Sequence, residues 1–224
     1  MKNQKVKDAF NKGSEEYDNY RKHAIPYMDI FYQTAIDQTK GYNQPEILDL
    51  GVGTGILTEM IHKQYPKSNI TLIDMSNEML EKAKKKFSNK NNFKYIEADY
   101  TTYEFPQKYD IIISSLSIHH LTDNEKQKLY QKIYDNLKEN GIFVNADQVR
   151  GMTSLTEKLY KQQDEQYLNK QDMPEKEKQV LRNRRKLDQP ATLQDTINWY
   201  ESIGYRDVDV FFKYYRYFVI RGQK

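Results

Sequence analysis

Ile47-Leu48-Asp49-Leu50-Gly51-Val52-Gly53-Thr54-Gly55 is the stretch on which the reading of this chain turns. Four residues with strand character run into three glycines spaced two apart. Ile56, Leu57, Met60 and Ile61 then recur at helical spacing. Glycine at such a turn permits tight curvature and lets the backbone approach a ligand closely. The helix that begins near Thr54 offers unpaired N–H groups and a partial positive charge, which suit an amino-acid carboxylate. A dinucleotide fingerprint has Gly-x-Gly-x-x-Gly; here the third glycine comes one residue early, which disfavours NAD.

Outward from this turn, the stretch from Glu46 to Asp147 alternates short apolar runs with amphipathic ones, the pattern of a parallel sheet wrapped by helices. Strands are expected at Ile47 to Leu50, Ile70 to Asp74, Phe93 to Glu97, Asp110 to Ser114 and Ile142 to Ala146. Met79, Leu80, Ala83 and Phe87 form a second helical stripe, and Leu129, Ile133 and Leu137 a third. Ser76 is expected to cap the second helix and Thr122 to open the third through a capping box, with Gly141 ending it. From Gly151 to about Gln189 the pattern becomes helical and highly charged, with Ser154 to Glu157 as a further capping box and Pro174 as a break. A last helix after Thr192 stops at Gly204. Two strands, Val208 to Phe212 and Tyr215 to Ile220, then form an antiparallel hairpin turning at Lys213 and Tyr214.

Asp74 ends the second strand close to the distance from the glycine turn, about 20 residues, at which an acidic residue accepts from ribose hydroxyls. Taken together, Ile47 to Gly55, Leu72 to Ser76, Ala98-Asp99 and Tyr109 to Leu121 resemble the successive motifs of class I, Rossmann-like S-adenosylmethionine (SAM)-dependent methyltransferases. The terminal hairpin is similar to the reversed seventh strand of that fold. The resemblance implies SAM as cofactor, with Asp49 and the backbone of Gly51, Val52, Gly53 and Gly55 at its methionine part. It implies Asp74 at the ribose, Met75 on the adenine and Asp99 at the adenine amino group. Ser114, Ser115 and Leu116 would end the fourth strand beside the methionine moiety, with Tyr100 in the same cleft. Tyr17 to Arg21 resembles an aromatic lid folded over the cofactor, with Tyr17 and Arg21 as contacts.

One α/β domain over 1–224 is expected: an N-terminal helical lid (1–40), a SAM-binding core (46–150), a helical substrate insertion (151–190) and a final helix with β-hairpin (191–224). His119, His120 and Asp147 are the candidate catalytic groups, each at or just after the carboxyl end of a strand. Methyl transfer from a sulfonium needs chiefly an acceptor held in line at about 3 Å, so a base is optional. The same three residues are considered as a metal site and set aside, because neighbouring histidines are expected to point apart; no metal is expected.

The absence of cysteine removes thiolate sites and the nucleophile of carbon-5 pyrimidine methylation. Ser114-Ser115-Leu116-Ser117 stands where amino-methylating nucleic-acid enzymes carry an Asn/Asp-Pro-Pro-Tyr type of motif. A net charge of +3 from 35 basic and 32 acidic side chains gives weak support to nucleic-acid binding. Arg182, Arg184, Arg185 and Lys186 are a solvated helix face or a grip on an anionic substrate or RNA backbone. These observations favour a cytoplasmic enzyme, monomer or homodimer, that methylates a small molecule without a membrane partner. The alternatives are an RNA-modifying enzyme, including those using a carboxylated SAM at the tRNA wobble uridine, which the terminal stretches resemble, and a non-catalytic SAM-binding protein.

Overall fold

The computed structural model describes Arg21 and residues 23–224. Seven strands form one sheet: β1 (Ile47–Leu50), β2 (Ile70–Asp74), β3 (Phe93–Glu97), β4 (Tyr109–Ser115), β5 (Leu137–Gln148), β6 (Arg206–Tyr214) and β7 (Tyr217–Gln223). Their order is β3-β2-β1-β4-β5-β7-β6, and only the pairings of β7 with β5 and β6 are antiparallel. The described helices are α1 (Met28–Asp37), α2 (Ile56–Gln64), α3 (Asn77–Lys86), α4 (Asp123–Asn136), α5 (Ser154–Asn169), α6 (Glu175–Arg185) and α7 (Leu193–Ile203).

Strand alternation divides the core between the two sheet faces. Ile47, Ile70, Leu72, Ile111 and Ile113 pack with Phe31, Ile61 and Leu80 from α1, α2 and α3. Leu48, Leu50, Ile73, Ile112 and Phe143 pack on the other side with Leu129, Ile133 and Tyr200 from α4 and α7. β1, with all four residues buried, lies between β2 and β4 and is apolar except for Asp49, as befits a strand covered on both faces. Each fully buried Leu or Ile here contributes roughly 1.5–3 kcal/mol. α5 and α6 instead share a small cluster of Leu168, Met173 and Leu181, which Ala24 joins. Among the described residues no helix is long and apolar enough to cross a membrane.

The first three strands match expectation residue for residue, whereas several later boundaries move. β4 gains Tyr109 and Ser115, and β5 starts five residues early, at Leu137. Gly141 therefore does not end α4; the helix stops at Asn136, and Asn140 takes the left-handed turn conformation (φ 61°). Gly141 has another reason: an added Cβ would lie 2.9 Å from the Lys138 carbonyl and 3.1 Å from that of Tyr109. Thr122 and Glu125 form the expected capping box and Ser76 caps α3. The box of α5 is set one residue earlier than expected, at Thr153 and Thr156. The hairpin turns at Tyr215 and Arg216 rather than Lys213 and Tyr214, since Tyr214 pairs with Tyr217 in the ladder. Residues 211–218 contain no Gly or Pro to mark the turn, and a tertiary contact places it: Arg216 reaches inward to Asp164 of α5, Nε to Oδ2 2.6 Å.

Candidate active site

β1 and β4 are adjacent while their crossovers run in opposite directions, so the carboxyl ends of these strands open the switch-point crevice. Gly51, Gly53 and Gly55 there have φ of 71°, 55° and 80°, a region in which glycine is unstrained. The Gly51 and Val52 N–H groups donate to the Ile73 carbonyl, and the Gly53 N–H donates to Asp74 Oδ2 (2.8 Å). Asp74 Oδ1 accepts from the Ser76 N–H (2.8 Å), so one carboxylate holds the glycine turn and the start of α3 together. Gly51 meets the segment that follows β4. A Cβ at Gly51 would come within 2.0 Å of Ser117 Oγ, and that hydroxyl hydrogen-bonds the Tyr100 hydroxyl (2.9 Å).

Buried carboxylates make this crevice electrostatically unusual. Burial pushes the Asp49 carboxyl up to about 7, against the stabilising Thr58 hydroxyl, which donates to Asp49 Oδ2 (2.6 Å). Burial also raises Asp74, against the N–H groups of Ser76 and Gly53. Arg21 is buried and its charge acts favourably on both carboxylates. Tyr17 lies outside the described residues. α1 is a core helix rather than a cover, with Phe31, Tyr32, Ala35 and Ile36 buried.

The other expected contacts divide by what their side chains do. Ser114 is fully buried and donates to the Leu50 carbonyl (2.8 Å), so it joins β4 to β1. Leu116, with φ 48°, turns the chain out of β4 and donates its N–H to Ala146. Ser115 and Tyr100 are buried, and burial raises the Tyr100 phenol above its ordinary range. Asp99 Oδ1 accepts from the Thr101 N–H and hydroxyl, and Met75, directly after β2, is half-buried.

A second cavity of about 90 Å³ adjoins the end of β4, lined by His119, His120, Leu116 and Leu181 among others. His119 Nδ1 lies 2.5 Å from Asp147 Oδ1, and Asp147 Oδ2 accepts the His119 backbone N–H (3.0 Å). On its other side His119 Nε2 lies 3.4 Å from Asp188 Oδ1, and His120 Nδ1 is also 3.4 Å from that oxygen. Burial opposes charge on His119, but the Asp147 and Asp188 carboxylates outweigh it and raise its pKa to about 10. Burial likewise opposes charge on Asp188, and His119 outweighs it to hold that carboxyl below its ordinary value. The expectation that the two histidines diverge is overturned: their ring centroids are 4.0 Å apart and both face Asp188. Asp147 lies behind His119, not in the cluster.

Asp188 is the residue that sequence reasoning missed. It sits in Lys186-Leu187-Asp188-Gln189-Pro190, where no spacing sets it apart, and its partners are nearly 70 positions away. The arginine run around it splits. Arg182 is engaged with Glu165 and Glu175 on the outer side, whereas Arg184 and Arg185 line the cavity.

Comparison with known proteins agrees with this geometry. Residues 47–141 match the methyltransferase domain family. Malonyl-[acyl-carrier protein] O-methyltransferase 1 of Ilyobacter polytropus is 34% identical over 140 residues, 61% of this chain and 49% of that protein. The chain thus spans about half the length of that relative. The carboxy-S-adenosyl-L-methionine synthase of Nautilia profundicola is 28% identical over 209 residues, covering 88% of this chain and 86% of the relative. Among solved structures, magnesium protoporphyrin IX methyltransferase of Synechocystis superposes with a TM-score of 0.67 at 13% identity over 99% of both chains. The match assigns residues 47–141 to the methyltransferase domain family, and the fold is one shared with solved methyltransferases.

Proposed function

We propose that this chain binds SAM at the glycine turn and transfers its methyl group to a small-molecule acceptor. The observation that carries the reading is the Gly51–Gly55 turn at the β1/β4 switch point, held by Asp74 through the Gly53 N–H. The residues present fit SAM: the start of α2 would receive the amino-acid carboxylate, and Asp74 would accept from ribose hydroxyls besides its bonds to the Gly53, Met75 and Ser76 N–H groups. Met75 and Asp99 then serve the adenine. When bound, SAM supplies an electrophilic methyl group on a sulfonium. The chain's part is to hold the acceptor in line behind that methyl and to exclude water. Leu116 links the two halves, ending β4 beside the turn and lining the second cavity. His120 is the candidate group that faces the acceptor; His119 and Asp147 set the wall behind it. The relatives named for methyl transfer support this reading.

A second reading follows from the Nautilia relative, which aligns across the insertion as well as the core: the bound cofactor is a carboxylated SAM. Mass spectrometry of the nucleoside released on denaturing the purified protein separates the two. Calorimetric titration with S-adenosylhomocysteine tests the site itself, expected to show one binding event per chain; absence of heat and of thermal stabilisation overturns both readings. Incubation with methyl-labelled SAM and a metabolite extract then tests turnover. Label in a low-molecular-weight product is the expected result, and its absence leaves a SAM-binding protein without catalysis.

A further inference from the structure

The second cavity contains a donor set that methyl transfer alone does not require. His119 Nε2, His120 Nδ1 and Asp188 Oδ1 belong to three side chains whose ligand atoms all lie within 4.8 Å of one another. Both nitrogen-to-oxygen separations are 3.4 Å, longer than the usual N–H···O hydrogen bond of about 2.9 Å. Both match the edge of a tetrahedron with metal–ligand bonds of about 2.0–2.1 Å, about 3.4 Å, and the third separation lies within 4.8 Å.

We propose that His119, His120 and Asp188 bind a divalent transition metal ion of the zinc type, with its fourth position open to the cavity beside Leu116. Two imidazoles and one carboxylate suit such an ion. Magnesium and calcium prefer all-oxygen sets.

The support around the three ligands is that of a built site. Asp147 holds His119 through Nδ1 and so aims Nε2 at Asp188, as a carboxylate behind a metal-ligating histidine does. The insertion is tied to the histidine turn through Gln189, the residue after Asp188. Gln189 donates its N–H to the His119 carbonyl (2.8 Å) and its side-chain amide to the His120 carbonyl (3.0 Å). Lys126 in turn donates to the Gln189 carbonyl (2.5 Å), which fixes Asp188 against α4. Asp188 and Asp147 together carry two negative charges, which balance a divalent ion once both imidazoles are neutral. On binding, the proton on His119 Nε2 passes to solvent and the nitrogen lone pair bonds the metal. Arg184 and Arg185 line the same cavity, so the favoured fourth ligand is anionic: hydroxide, or an acceptor thiol or hydroxyl that has released its proton to solvent. Metal binding does not depend on the methyltransferase reading, and the two are tested separately.

The test strips the full chain with a chelator and titrates it with Co²⁺, following the visible absorption of a four-coordinate ion, with Zn²⁺ competition. One equivalent is expected, lost in both His120→Ala and Asp188→Asn. Asp147→Asn keeps the stoichiometry but weakens binding on the order of 10–100-fold. Circular dichroism and a cooperative melt establish that each variant is folded. A measurement on the unaltered protein stands beside them: carbethoxylation mapped by mass spectrometry, in which Zn²⁺ protects His120 and leaves His23 and His62 unprotected. Absence of stoichiometric binding overturns the proposal. So does binding that both variants retain, or equal reactivity of His120 with and without Zn²⁺.

Discussion

The two ends of the crevice are built differently. The cofactor side is assembled from turns that directly follow β1, β2 and β4, and its polar groups largely bond backbone: Asp74 to Gly53 and Ser76, Ser114 to Leu50. The acceptor side joins the same β4 turn to an insertion arriving from far along the chain, through Asp188 to His119 and His120 and through Asp164 to Arg216. The first depends on glycine geometry and strand order. The second depends on buried charge pairs, which are costly when one partner is lost.

The largest effect expected of this difference is on the pH dependence of folding, and it belongs to the cofactor side. Asp49 has a folded pKa of about 7 against an ordinary 3.8, so between these values the folded state holds a proton that the unfolded state has released. Its contribution therefore lowers stability as pH rises from about 4 to about 7, with a slope of about 1.4 kcal/mol per pH unit, and is flat above. Asn in place of Asp49 should flatten denaturant-derived stability across this window; an unchanged slope relative to the unaltered protein breaks the assignment.

On the acceptor side, Arg216→Met leaves Asp164 buried without its 2.6 Å partner and should cost about 3–5 kcal/mol in chemical denaturation. Hydrogen exchange should locate the loosening in α5 and the β6–β7 turn. Gly51→Ala is the counterpart at the cofactor turn. A positive φ and a Cβ 2.0 Å from Ser117 Oγ should together cost about 3 kcal/mol. Because the strain falls on the turn itself, S-adenosylhomocysteine affinity should fall with stability, whereas Arg216→Met should spare it in the folded fraction.

Smaller effects sharpen the contrast. Asp74→Ala removes the bonds to the turn and, with Asp74 at the ribose as proposed, should weaken S-adenosylhomocysteine by about 1.5–3 kcal/mol in calorimetry. An unchanged affinity places the ribose elsewhere. Thr153→Ala removes the cap of α5 and should cost about 1 kcal/mol, visible as faster exchange in the first turn of α5 with cofactor affinity unchanged.

What could be read in advance follows the same division. β1, β2 and β3 and the caps at Ser76 and Thr122 were legible because each rests on local periodicity or on short-range capping. Boundaries failed where the local signal was silent. Gly141 looked like a helix stop, yet it serves close backbone packing, and the hairpin turn among aromatic residues is placed by Arg216. The carboxylate of Asp74 was read as a ribose ligand from its position alone; its bonds to Gly53 and Ser76 became visible only in the fold.

The sequence by itself determined the sheet, the glycine turn and with them the methyltransferase class, because strand alternation, helical spacing and positive-φ glycine act over a few residues. Only the tertiary structure decided that His119 and His120 converge on Asp188, with Asp147 behind them. The direction of a side chain at a turn is set by what packs against it, and here that is an insertion held nearly 70 residues away by hydrogen bonds to the turn's own carbonyls.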